Sequence, residues 1–323
     1  MGDPAGIGGE IALKAWLRRA ADDLPPFFVI DDPERLAAVA ARLRLSLPIE
    51  VLAAPAATNA VFPRALPVLP LSLATPPVPG CPDPANAPMI REAIERAVAL
   101  VRMGKASAVV TNPIAKQVLY AAGFTFPGHT EFLAELAGIV TPPVMMLACP
   151  GLRVIPVTIH VALRQAIENL TAGLIVETAR IAAEGLRRDF GIHAPRLAVA
   201  GLNPHAGEGG GMGREDIDIV QPAIDALRAQ GIDAFGPLPS DTLFTPSARA
   251  GYDVALCMYH DQALIPLKTL GFDQGVNVTL GLPFVRTSPD HGTAFDIAGT
   301  GTASESSLIA ALRMAAQMVA ARG

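Results

Sequence analysis

Short apolar runs separated by longer amphipathic stretches dominate the chain. The runs are Phe27–Ile30, Ala106–Val110, Val144–Ala148, Val154–Ile159, Leu197–Ala200 and Val254–Met258. Most are near-continuous, the pattern of strands covered on both faces. Between them, helical patterns extend over Ile11–Ala21, Met89–Met103, Gln165–Arg188 and Asp216–Gln230, with Gly104 and Gly231 as stops. This alternation predicts a mostly parallel α/β sheet with helices on both faces. Residues 55–88 hold ten of the thirty prolines, which predicts a surface connection there. The longest apolar zone, Ile139 to Leu163, is broken by prolines at 142, 143, 150 and 156 and is expected to form two buried strands, not a membrane span.

Composition narrows the function. With 323 residues, 51% hydrophobic and 17% charged, the chain can bury a large core and form two domains. A net charge of −5 argues against a nucleic-acid surface but leaves room for small anionic ligands at a local positive site. Cys81, Cys149 and Cys257 are far apart and form no CxxC pair, which suggests a reducing cytoplasm. The start, MGDPAGIGGE, lacks the basic and apolar regions of a signal peptide.

The histidines carry the chemistry. VIPVTIH, LAVAGLNPH and DVALCMYH each run from an apolar strand into a histidine: His160, His205 and His260. In a parallel sheet the carboxyl ends share one edge, where ligands bind. These three are therefore candidate ligands for Zn²⁺, Co²⁺, Mn²⁺ or Fe²⁺. The plainer alternative is that each ends a strand or bonds within a loop. His129 in PGHTE and His291 in SPDHGTAFD also sit in unusual contexts; basic residues nearby are few, Lys116, Lys268 and Arg286, of which Lys268 and Arg286 are candidates to hold a phosphate or carboxylate, the alternative being a solvated surface charge. GDPAGIGGE precedes a predicted helix and either cradles an anion or forms a plain turn. Neither it nor GEGGGMGRED fits a P-loop or GxGxxG pattern, and there is no HExxH or GxSxG.

Together, GDPAGIGGEI (2–11), VVTNPIAK (109–116), GHTEFLA (128–134), VTIHVAL (157–163), GLNPHAGEGGGMGREDIDI (201–219), GPLPSDTLF (236–244) and the long stretch from YDVALCMYHDQ to DIAGTG (252–301) resemble the 4-hydroxythreonine-4-phosphate dehydrogenase family of pyridoxal 5′-phosphate biosynthesis. The resemblance implies two α/β/α domains of the isocitrate and isopropylmalate dehydrogenase kind with a cleft between them. The domains are expected at 1–125 plus 280–323 (nucleotide side) and 126–279 (metal and dimerisation).

The activity implied is a metal-dependent, NAD-linked oxidation of 4-phosphooxy-L-threonine at C3. Loss of CO₂ would then give 3-amino-2-oxopropyl phosphate. One divalent cation per subunit (Zn²⁺, Mg²⁺, Mn²⁺ or Co²⁺) is implied, in a cytoplasmic homodimer whose active site is shared. Carried onto this sequence, His160, His205 and His260 would be the metal ligands. His129, Thr130, Lys268, Asn277 and Arg286 would contact substrate. His291, Gly292, Ala294 and Asp296 would line the adenosine loop, where a carboxylate at 296 favours NAD over NADP. Lys268, Asp241 and Asp261 are the candidates for proton transfer.

Some positions depart from the family pattern. Gly9 stands where proline is usual, and Asn112 and Ala115 replace residues more often Gly and Asn. The family has a strand before GDPAGIG, whereas Met1 directly precedes Gly2 here, so the first sheet is expected to be weakened at that place. Two rival functions fit the same residues. One is a paralogue acting on threonate or erythronate phosphate. The other is a non-redox protein, either phosphate acyltransferase-like or purely binding.

Overall fold

A computed structural model describes residues 1–126 and 128–323; Pro127 of PGHTE lies outside the described residues. The chain divides into two compact units, Met1–Val140 with Leu282–Val319, and Thr141–Gly281 with Ala320–Gly323. Its strands are β1 (Val29–Asp31), β2 (Ile49–Val51), β3 (Leu66–Pro70), β4 (Ala108–Val110), β5 (Val144–Cys149), β6 (Leu152–Pro156), β7 (Leu197–Ala200), β8 (Ala234–Leu238), β9 (Val254–Cys257), β10 (Val276–Leu280) and β11 (Val285–Pro289). Most pairings are parallel, as the alternation of runs predicts.

In the first unit, β3 lies between β1 and β2, all parallel, and β4 pairs in parallel with β11. This corrects the expectation for residues 55–88. Within that proline-rich stretch, Leu66–Pro70 is a central strand, with Leu66 and Val68 fully buried. Proline's fixed φ lies within the extended region and costs only a donor, so a short strand can include Pro67 and Pro70. The helix Gly8–Leu17 packs Ile11, Leu13 and Trp16 against Leu36, Leu66 and Val68.

The strands of this unit form two groups, β1-β3-β2 and β4-β11, with residues 1–3 between them. The Met1 ammonium donates to Ile30 O at 2.7 Å, and Asp3 N donates to Pro113 O at 2.9 Å.

In the second unit the strand order is β10-β5-β6-β9-β7-β8. The zone Ile139–Leu163 supplies the antiparallel hairpin β5-β6, and β10 pairs antiparallel with β5. From β6 to β8 the pairing is parallel. β7 (LAVA) and β9 (VALC) are buried at every position, and their small side chains let layers close over both faces. The single helix expected over Gln165–Arg188 is instead two, Leu163–Asn169 and Ala172–Phe190. The second is capped by Thr171 Oγ1, which accepts from Leu174 N at 3.2 Å.

Candidate active site

In the second unit β6, β9 and β7 are neighbours and parallel, with Val154 opposite Ala255 and Leu197 opposite Val254. Their carboxyl ends therefore lie side by side, with the His260 strand in the middle. His160 and His260 meet there, ring centres 5.7 Å apart and planes at 44°. Two imidazoles sharing one ion through bonds of about 2.1 Å have ring centres roughly 5 Å apart. The pair thus suits a common cation. His260 Nδ1 lies 2.7 Å from Asp261 Oδ1, which leaves Nε2 for a ligand.

His160 and His205 both adopt left-handed backbone, each with φ of 52°. Such a conformation costs a non-glycine residue on the order of 1 kcal/mol or more and is kept only where the surroundings enforce it. His205 opens a run of left-handed residues that continues through Ala206, Gly207, Glu208 and Gly209. The buried Asp216 carboxylate braces this run, accepting from Leu202 N at 2.7 Å, Asn203 N at 3.0 Å and Asn203 Nδ2 at 3.0 Å. Among the described residues, no group of three or more His, Cys, Asp or Glu side chains is placed to hold an ion within one chain. The structure joins His160 to His260 and leaves His205 outside that pair.

The other candidates of this unit divide. Asp241 and Asp261, both exposed, face one open groove of about 630 Å³ along with Tyr259 and Gln262. Lys268 stands a helix turn or more beyond, half-buried, its ammonium 5.5 Å from the ring centre of Phe272. Asn277 is on β10 opposite Leu147, and its Oδ1 is buried with no hydrogen-bond partner among the described residues.

The first unit gathers a second set. Arg286, on β11 beside Val109, is 3% exposed and donates to Thr111 Oγ1 at 2.7 Å. Burial lowers its pKa to about 10, so it stays charged. His129 and Thr130 open the helix His129–Ala137. Burial first, then the charges of Arg286, the amino terminus and Lys116, hold His129 well below the ordinary imidazole range. Its Nε2 is buried without a hydrogen-bond partner among the described residues. A neutral imidazole among cations at a helix start is a setting for an anion. Sequence reasoning misses Thr111; the available signal is its place in VVTNP, directly after β4.

The glycine loop and the HGTAFD loop come together in the same unit. Ile7 N donates to Thr293 O at 3.1 Å, and a Cβ on Gly6 would lie 2.9 Å from that oxygen. His291 Nδ1 lies 3.0 Å from Gly292 O, Ala294 has a φ of 45°, and Asp296 is exposed. Lys14 Nζ bonds Glu10 Oε1 at 2.8 Å and the carbonyls of Gly301 at 2.8 Å and Ala303 at 2.6 Å, which fixes the end of the loop. The departures at 9 and 112 also find an account. Gly9 faces the Arg35 guanidinium, and Asn112 fills the space beside Gly2 and Gly8, donating to Gly8 O at 3.2 Å.

Parallel strands ending in paired imidazoles, with a separate anion-seeking cluster, define an α/β enzyme. Residues 23–315 match the family model described as pyridoxal phosphate biosynthetic protein PdxA, and the chain belongs to that family. A 4-hydroxythreonine-4-phosphate dehydrogenase of Methylorubrum populi is 61% identical over 98% of this chain and 93% of its own length. Among solved structures, a 4-hydroxythreonine-4-phosphate dehydrogenase from Klebsiella pneumoniae superposes with a TM-score of 0.88 at 39% identity, covering 99% of this chain and 98% of that one. A terephthalate 1,2-cis-dihydrodiol dehydrogenase from Burkholderia xenovorans gives 0.64 at 31% identity, over 98% and 96%. By these names the relatives are oxidoreductases. Among the described residues, no helix is long and apolar enough to cross a membrane.

Proposed function

We propose that the chain oxidises 4-phosphooxy-L-threonine at C3 with NAD as acceptor, and that the 3-oxo acid so formed loses CO₂ to give 3-amino-2-oxopropyl phosphate. The observation that carries this reading is the His160–His260 pair at the carboxyl edge of a chain 61% identical to a 4-hydroxythreonine-4-phosphate dehydrogenase. His160, His205 and His260 would hold one divalent cation, in a cytoplasmic homodimer that shares its active site and completes the ligand set. When bound, that cation lowers the pKa of the substrate alcohol and polarises the ketone that follows.

The chain's own residues supply the rest. Neutral imidazoles leave the full charge of the cation to act on substrate. Arg286, charged and fixed by Thr111, neutralises an anionic group of the substrate, with His129 and Thr130 beside it and Lys268 and Asn277 as further contacts. Asp241, Asp261 and Lys268 are the groups able to take the alcohol proton. Asp261 is already engaged with His260 Nδ1, so its first role is to fix that ring, and Asp241 is the freer carboxylate of the groove. His291, Gly292, Ala294 and Asp296 would bind the adenosine half of NAD, with the Asp296 carboxylate discriminating against a 2′-phosphate.

The test is NADH formation from a panel comprising 4-phosphooxy-L-threonine, threonate 4-phosphate and erythronate 4-phosphate. The proposal expects the first to give the highest kcat/KM. Preference for a sugar-acid phosphate would transfer the assignment to the paralogous reaction, and no NAD reduction with any of them would favour a non-redox protein.

A further inference from the structure

The three histidine-bearing strand ends of the second unit are tied to one another by a chain of buried side chains. Thr158, two residues before His160, is 6% exposed, and its hydroxyl donates to Met258 O at 2.8 Å. Met258 precedes His260 by two residues, and its N–H donates to Gln262 Oε1 at 2.5 Å. Gln262 is 7% exposed in the first turn of the helix His260–Gly271. Its Nε2 donates to Gly201 O at 2.7 Å, where β7 gives way to the His205 loop, and to Ser240 Oγ at 2.7 Å, next to Asp241.

From this geometry we infer that Gln262, with Thr158 as its secondary partner, is the positioning residue that sets the spacing of the histidine-bearing strand ends. The inference rests on the metal reading given above. A glutamine suits the task chemically. One amide offers an acceptor for the N–H at the end of β9 and two donors for the carbonyl at the end of β7 and the serine hydroxyl. All three are used, and the amide orientation follows from them. A helix-start glutamine that reaches back to a preceding N–H repeats the logic of a capping box, here applied between neighbouring strands. Removing the amide leaves the buried Met258 N–H and Gly201 carbonyl without this partner, so the loops carrying His260 and His205 lose their common reference.

The test uses tag-free, metal-stripped full-length protein titrated with Co²⁺, followed by the visible absorption of the bound ion and by exchange of the Met258 amide. Gln262→Leu is expected to weaken Co²⁺ binding about 10- to 100-fold, the range for loss of an outer-shell partner, to change the absorption band and to speed Met258 exchange. Thr158→Val removes one hydroxyl donor and is expected to weaken binding about fivefold. Leu186→Ala, a cavity under the helix Ala172–Phe190 and outside the tie, is expected to lower Tm and leave Co²⁺ affinity unchanged. Wild-type affinity and spectrum in Gln262→Leu, or an equal loss in Leu186→Ala, would overturn the inference. If Gln262→Leu does not fold, Thr158→Val decides in the same way. Co²⁺ binding that survives His260→Ala would instead overturn the metal reading, and this inference with it.

Discussion

The Nδ1 atom of His260 stands 2.7 Å from Oδ1 of Asp261, its neighbour in the chain, while the ring faces His160 at 5.7 Å between centres. A carboxylate on one imidazole nitrogen fixes the tautomer and raises the basicity of the other. Asp261→Asn is therefore expected to lower metal affinity roughly 10- to 100-fold and to leave KM for NAD unchanged. Chelator-competition titration checks the affinity. If saturating metal restores kcat, Asp261 orients the ring; if kcat stays low at saturation, Asp261 is the proton acceptor.

His129 gives a pH signature. Its folded pKa is depressed, chiefly by burial, so below about pH 6.5 the unfolded chain takes up a proton that the folded chain refuses. Stability attached to this group is full above about pH 6.5 and falls as pH drops, by about 1 kcal/mol per unit for one site. In urea unfolding between pH 7.5 and 5.5, wild type should lose more stability than His129→Gln, by about 1 kcal/mol. Equal losses would mean that the imidazole protonates in place.

Asp296 tests the cofactor assignment. It is exposed, so its replacement should not disturb the core. Asp296→Ser is expected to raise KM for NAD about tenfold and to narrow the preference over NADP, with kcat at saturating NAD close to wild type. Steady-state kinetics with both dinucleotides checks this. An unchanged NAD-to-NADP ratio would remove Asp296 from the ribose site.

Much of this was readable in the sequence, and the exceptions have physical causes. β7 and β9 show as unbroken apolar runs because both faces are covered, and the histidines beyond them mark the carboxyl edge. β3 is hidden in the sequence because its prolines read as breakers, although Leu66 and Val68 beside them are fully buried. β10 (VNVTL) and β11 (VRTSP) are hidden because polar residues interrupt their runs, among them Asn277 and Arg286. The three strand-end histidines suggested one cluster, but a run of left-handed residues beginning at His205 has no signature in a chain where alanine and glutamate also adopt that conformation. The Gln262 tie was equally silent, since a glutamine in a helix's first turn looks ordinary until its partners are known.

The central claim is that paired imidazoles serve a metal-dependent, NAD-linked oxidation, and NADH formation from 4-phosphooxy-L-threonine by metal-stripped and re-metallated enzyme tests it most directly. The account predicts no turnover after stripping, recovery with Zn²⁺, Mg²⁺, Mn²⁺ or Co²⁺, and no recovery in His160→Ala or His260→Ala, both of which keep the wild-type fold by circular dichroism. Full activity in stripped enzyme, or in either variant, would contradict it.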